Sequence, residues 1–318
     1  MGRIEDFLHS IPLAIINAIS VISGILTIIS FLATALSAIF SKPEYVKKSG
    51  SVFLVCTLVF GYLYWKKLVK YRELAQQRLS VHSTEMALVN EKITETVFDI
   101  LHFYKAKQLS HALLDTKIKN SLQALLDSIE RMMLMDTGRT VSACIKLILP
   151  SEENLNLDNA YVETFVRSTR CDLTRNTNDV QDSAPDLIKS NTDFYNILSD
   201  NLIAFYQGDL LEYERELARV GKHYMNSHLN WQEHYLGAIV VPIKIQHQFL
   251  HFTKKDKDFQ VVGFLCVDSM AKDAFLPRQK DENIAFLQAY ASLIYILLNK
   301  YQYYLSKLVA KNGDGFSA

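Results

Sequence analysis

Ala238-Ile-Val-Val-Pro-Ile243 and Val262-Gly-Phe-Leu-Cys-Val-Asp-Ser269 are the stretches on which the fold of this chain turns. Both are short apolar runs rich in β-branched and aromatic residues, the pattern of largely buried strands. They predict strands over residues 235–245 and 259–268. Working outward, Val141-Ser-Ala-Cys-Ile-Lys-Leu-Ile-Leu149 alternates and stops at Pro150, and Tyr161-Val-Glu-Thr-Phe-Val-Arg167 is a further strand. Residues 171–190 read as a polar, mobile loop. Asn191-Thr-Asp then opens a short helix through Leu198, and residues 205–211 read as extended. A closing helix spans 279–309, and the order of elements predicts an α+β domain.

In that order, Ala238–Ile243, the Gly-containing strand ending at Ser269, Phe275, and the helix carrying Phe286, Leu287, Ala291 and Leu298 resemble the GAF domain family. The resemblance covers about residues 110–309. It implies an antiparallel sheet with a small-ligand pocket on one face and dimerising helices on the other. Members that bind cyclic nucleotides carry an Asn-Lys…Phe…Asp-Glu signature. Here Lys272, Phe275, Asp281 and Glu282 stand in that order, with Ala271 where the Asn would be. No cysteine can be placed where bilin-binding relatives have theirs.

Candidate ligand contacts come from the residues themselves. Arg167, Arg170 and Arg175 flank the mouth of the loop, and arginine suits planar capture of phosphate or carboxylate. The alternative is strand-end charge paired with Asp172 or Asp179. Asn191, Thr192 and Asp193 sit at a helix start, where they either help hold an anion or cap the helix. Tyr224, Asn226, Trp231 and Tyr235 either stack a base or form aromatic core. Asp268, at the end of the last strand, completes the set. His223, His228 and His234 match no metal spacing. No nucleophile elbow, Walker loop or dinucleotide glycine pattern is present, so the expectation is a non-enzyme without cofactor or metal.

The N-terminal region has a different character. Residues 11–40 contain no charge, and as a helix they would reach ~45 Å, more than the ~30 Å core of a bilayer. A second apolar run, residues 50–65, is flanked by Lys66 and Lys67 and ends in Tyr62, Tyr64 and Trp65, which suit the membrane interface. The reading is a two-helix membrane hairpin over residues 1–65. In the first run Asn17, Ser20, Ser23, Thr27, Ser30, Thr34 and Ser37 recur at helical spacing. That stripe either lines a wet path in an oligomer or packs against the second span. Ala33-Thr34-Ala35 resembles a signal cleavage site, but the run is too long for one and the start is acidic.

Residues 66–109 read as a coiled-coil connector. Leu79, Met86, Ile93 and Ile100 stand seven apart, with Ala75, Val89, Thr96 and Phe103 as companions. Such a seam asks for the same helix of a second copy; the alternative is a helix folded back on its own domain. The helix is read as continuing to Gly138, with a broad apolar stripe from Leu113 to Met133. The GAF-like domain is assigned to 110–310 and a tail to 311–318.

The 318 residues carry zero net charge, so no basic field favours a nucleic acid polymer. Four cysteines without CxxC spacing predict reduced thiols rather than a disulfide framework. The lysines around residues 66–72 favour a cytoplasmic C-terminal portion at an inner or plasma membrane. Together these readings predict a membrane-anchored, homo-oligomeric sensor. A small anionic or nucleotide ligand would act through the coiled coil on the hairpin, as a pore or a bilayer disturbance. The layout resembles bacterial membrane effectors of antiviral defence. The other reading is a membrane scaffold whose GAF-like domain binds a protein.

Overall fold

The structure, a computed structural model, describes residues 43–149, 157, 159–170, 185–227, 230–246 and 259–313. Helix α1 (Pro43–Lys105) and helix α2 (His111–Thr137) are followed by strands β1 (Ser142–Leu149) and β2 (Tyr161–Arg167). Short β3 (Asp186–Leu187), α3 (Thr192–Ser199), β4 (Phe205–Gln207) and α4 (Leu210–Arg219) come next. Strands β5 (Gly237–Gln246) and β6 (Phe259–Ser269) and the closing helix α5 (Lys280–Gly313) complete the order. The six strands form one antiparallel sheet, β3-β2-β1-β6-β5-β4. The fold is α+β, and β5 and β6 lie where the apolar runs predict them.

Two compact units divide the chain at Met1–Val81 and His82–Ala318. In the first, a loop between the two apolar runs is expected, but among the described residues α1 begins at Pro43 and runs on without a break through residues 50–65. Proline suits the first turn of a helix, where its missing N–H has no partner to lose. No helix of the described residues is long and apolar enough to cross a membrane, so the second span of the hairpin is not supported. Its sixteen uncharged residues fall short of the ~20 a spanning helix needs. The run 11–40, with its hydroxyl stripe, lies outside the described residues. On α1, Leu58, Tyr64, Trp65, Leu68 and Leu79 are exposed.

In the second unit the predicted continuous helix to Gly138 is broken. The chain turns at residues 106–110, with Lys107 at φ +60°, and Ser110 caps α2 by accepting the Leu113 N–H at 3.2 Å. The turn folds α2 back along α1. Arg131 on α2 donates through Nε and Nη2 to Glu85 on α1, each at 2.7 Å, and Ser128 Oγ donates to the same carboxylate at 2.9 Å. The Arg131 guanidinium outweighs burial and holds Glu85 below the usual carboxylate range. Further along, Lys117 pairs with Asp99 at 2.5 Å.

From Met86 to Phe103 the helix packs on its own domain, the alternative to a seam between copies. Val89, Thr96 and Ile100 are buried, and Met86, Ile93 and Phe103 pack on the same core as α2 and α5. The heptad face is thus covered by the chain's own helices. Sequence periodicity specifies that a helix has a buried face, not which molecule buries it.

At its other end α2 stops at Gly138, whose φ of +65° is the left-handed conformation and whose N–H reaches Leu134 O at 2.8 Å. A Cβ there would meet nothing within 4 Å, so only the backbone conformation opposes one. Gly138→Ala is expected to lower stability by about 1 kcal/mol, measurable as a drop in calorimetric midpoint.

The sheet has two unlike faces. Ala143, Ile145, Ile239, Val241, Leu265 and Val267 point into the core beneath α2 and α5. Cys144, Val162, Val240, Phe264 and Cys266, the alternate positions, form a second core with residues of α3, β4 and α4. Residues 205–211, read as one extended stretch, divide into β4 and the start of α4. Asp209 accepts the Leu211 and Glu212 N–H groups, each at 3.0 Å, and so caps the helix.

Candidate functional site

The second face carries the chemistry. Across it at one level stand Arg167, Cys144, Cys266, Val240 and Phe205, each opposite the next on strands β2, β1, β6, β5 and β4. Two residues along β1, Lys146 stands opposite Phe264; two along β6, Asp268 stands between Ser142 and Ala238. Helix α3 lies over this row, its Phe194 ring stacked on Phe264 with centroids 4.6 Å apart.

Lys146, Asp193, Cys144 and Cys266 are ionisable side chains enclosed here. Lys146 Nζ lies 2.6 Å from Asp186 Oδ2 and 5.7 Å from the Phe194 ring centre. Burial disfavours the ammonium, but the Asp186 carboxylate and nearby thiols outweigh it, so its pKa ends above the ordinary value. Asp193 is buried at the start of α3 and accepts the Phe194 N–H at 2.8 Å. Burial pushes its carboxyl up to about 6, against that hydrogen bond and the Lys146 charge. Cys144 and Cys266 interact directly. Hydrogen bonding from Cys266, with help from the Arg167 and Lys146 charges, brings the Cys144 thiol down to about 7, while Cys266 is pushed up.

Asp193 makes stability depend on pH. Its folded pKa lies above the ordinary 3.8, so the stability carried by the protonated form is complete below about 3.8 and is lost as pH rises through about 6. Holding the carboxylate charged at pH 7 then costs on the order of 3 kcal/mol. Asp193→Asn is expected to raise the thermal midpoint at pH 7 and to flatten its change between pH 4 and 6, as a melting series across that range would record.

The other residues singled out from sequence fall in distinct places. Arg167 and Asp268 are half-buried on the same face as Asp193. Arg170 is exposed beyond the end of β2, and Arg175 lies outside the described residues. Asn191 joins two segments: its Nδ2 donates to Leu187 O at 3.0 Å, and its Oδ1 accepts from Ser227 N and Oγ, each at 3.2 Å. Beside it, Thr192 Oγ1 accepts the Met225 N–H at 2.7 Å. Tyr224 and Trp231 are buried in a ring cluster with Phe205, Tyr213 and Tyr235, and Asn226 Nδ2 donates to Tyr235 Oη. That cluster supports α4 and the approach to β5. Its Tyr224 hydroxyl is buried, and burial raises its pKa well above the usual value. Among the described residues no cluster of His, Cys, Asp and Glu is gathered to hold a metal.

Sequence reasoning passed over Lys146, Asp186, Cys144 and Cys266. One local signal was present: in β1 the alternation puts Ser142, Cys144 and Lys146 on one face while Ala143, Ile145 and Leu147 occupy the apolar other. A lysine inside an apolar strand asks for a buried acid. Its partner, Asp186, sits on an outer strand and could not be named from the strand alone.

No family model matches the chain, and no curated protein sequence is similar to it. Among solved structures it is similar to the type II free methionine-R-sulfoxide reductase from Thermoplasma acidophilum, at 12% identity and TM-score 0.35, over 57% of this chain and 95% of that one. It is also similar to the chromophore-binding domain of the bacteriophytochrome RpBphP3 from R. palustris, at 8% identity and TM-score 0.29, over 63% of this chain and 62% of that one. Both are GAF-like folds, and the likeness is distant.

Proposed function

We propose that residues 82–313 form a non-enzymatic sensor of a small polar ligand, bound against the Lys146–Asp186–Asp193 face of the sheet. The observation that carries this reading is the contrast between the two faces. On one face the sheet's own buried side chains are hydrophobic and the buried carboxylate, Glu130, comes from α2. On the other the sheet itself brings Lys146 and Asp186 beside the buried Asp193, charges whose burial gives the fold no stability of its own. A ligand that brings donors to Asp193 and an anionic group to Arg167 and Lys146 would offset that cost. A nucleotide combines both: amino or imino groups on the base for the carboxylate, and phosphate for the guanidinium.

The signal would leave through the helix layer. The last turns of α1 are packed into the same domain that would bind the ligand, and α1 is one unbroken helix from Pro43. A ligand that prefers one arrangement of sheet and helices biases α1 by that difference in affinity. On this reading the uncharged run 11–40 is the membrane-embedded end, and its output is opening a pore or disturbing the bilayer. The uncharged length of that run supports the idea.

A panel of cyclic and linear nucleotides tested on the full chain by thermal shift is expected to yield one that raises the midpoint. Arg167→Ala should abolish that response while the unliganded chain melts as before. The sensor reading fails if no small molecule in the panel moves the midpoint. For the membrane end, Ser30→Leu with Thr34→Leu should leave insertion intact and abolish ligand-triggered ion flux in liposomes; unchanged flux would reduce the run to an anchor.

A further inference from the structure

Cys144 on β1 and Cys266 on β6 stand directly opposite each other in antiparallel register. Their side chains share the second face of the sheet and the same buried core. Facing residues in antiparallel strands have Cα atoms about 4.5 or 5.5 Å apart, and both spacings lie within the ~4.4–6.8 Å that a disulfide spans. Both thiols are free, and they are close enough to hydrogen-bond. Around them are Lys146, next but one along β1, Arg167, opposite Cys144 on β2, and Asp268, next but one from Cys266. Asp193 also acts on Cys266. The two cations favour a thiolate at Cys144.

We propose that Cys144 and Cys266 are a redox-active pair, oxidised by a hydroperoxide to a cross-strand disulfide and restored by a dithiol reductant. The thiolate of Cys144 attacks one peroxide oxygen; the S–O bond forms, the O–O bond breaks, and the departing hydroxide takes up a proton as water. Cys266, giving up its proton, then attacks the sulfenic sulfur. The S–S bond forms, the S–O bond breaks, and hydroxide leaves with that proton as a second water. The balance is two thiols and one hydrogen peroxide giving one disulfide and two waters. Lys146 and Arg167 hold the attacking thiolate, and the register supplies a resolving thiol within reach before the sulfenic acid can oxidise further.

The test uses the reduced full-length chain in non-denaturing buffer, treated with hydrogen peroxide, alkylated and digested for mass spectrometry. The expected result is a cross-linked pair of peptides containing residues 144 and 266, lighter by two hydrogens and released by dithiothreitol. In Cys266→Ser, residue 144 should accumulate as a sulfenic acid that dimedone traps. In Cys144→Ser, Cys266 should stay reduced at the same dose. The proposal is overturned if both thiols of the wild-type chain survive a dose that fully oxidises glutathione. It is equally overturned if the cross-link appears only in urea. Circular dichroism checks that the serine variants fold; if they do not, the wild-type cross-link decides alone.

Discussion

A Gly263→Ala chain is expected to yield no stably folded α+β domain. Gly263 sits in β6, the strand that pairs with both β1 and β5, opposite Leu147 and Ile243. A Cβ built there would lie 2.3 Å from the Lys146 carbonyl oxygen and 3.1 Å from Leu147 Cα. Both atoms are backbone of the adjacent strand, so no side-chain rotation relieves the clash. The strands would have to part at the middle of the sheet, beside Lys146 and the Cys144–Cys266 pair. Overpacking of this kind costs about 3 kcal/mol or more, a large fraction of the stability of a domain this size. Gly61→Ala is the matched control, since a Cβ on that helical glycine meets nothing within 4 Å. It should be neutral or slightly stabilising, as alanine is the better helix former. Urea unfolding of both variants checks the pair: equal midpoints would mean that β1 and β6 do not approach as described.

The second large effect concerns α1. Ile100 is fully buried in the core beneath the sheet, so Ile100→Ala should destabilise the domain by about 2–5 kcal/mol. Leu79, on the same heptad position three turns of the pattern earlier, is 71% exposed, and Leu79→Ala should change domain stability by less than about 0.5 kcal/mol. A seam between two copies would make both substitutions weaken a dimer in a concentration-dependent way. Denaturant midpoints measured at several protein concentrations separate the cases. The docked-helix account expects a large loss for Ile100→Ala that does not vary with concentration. Concentration-dependent losses of similar size for both variants would return the seam to an interface between molecules.

These two residues illustrate what could be read in advance. The strands around Ala238–Ile243 and Val262–Ser269 were legible because alternation and β-branched content are local signals. Helix α2 was legible from its broad apolar stripe. The turn at residues 106–110 was not, for it contains neither Gly nor Pro, and Lys107 adopts positive φ without a residue that favours it. The partner of the heptad face was hidden for a related reason. Val89 and Ile100 announce a buried stripe, yet that stripe is satisfied equally by a second copy or by α2 and α5. Among the ligand candidates, Arg167, Asp193 and Asp268 could be named as charges near strand and helix ends. Their sharing of one face depends on how β2, α3 and β6 come together. Asn191 illustrates the opposite case: its hydrogen bonds go to Leu187 and Ser227, so it ties segments together rather than capping α3.

By itself the sequence determined that this chain holds an α+β domain with two long apolar strands, and that an uncharged run of membrane-spanning length precedes it. Both follow from patterns a few residues to a few turns long, which backbone geometry alone converts into strand and helix. Only the tertiary structure decided which residues face one another. It set Lys146 against Asp186, buried Asp193 at the start of α3, covered the heptad face of α1 from Met86 to Phe103 within the chain, and brought two widely separated cysteines opposite each other. Register between distant strands is fixed by the whole sheet finding the pairing that buries both of its faces, and no local pattern contains that information.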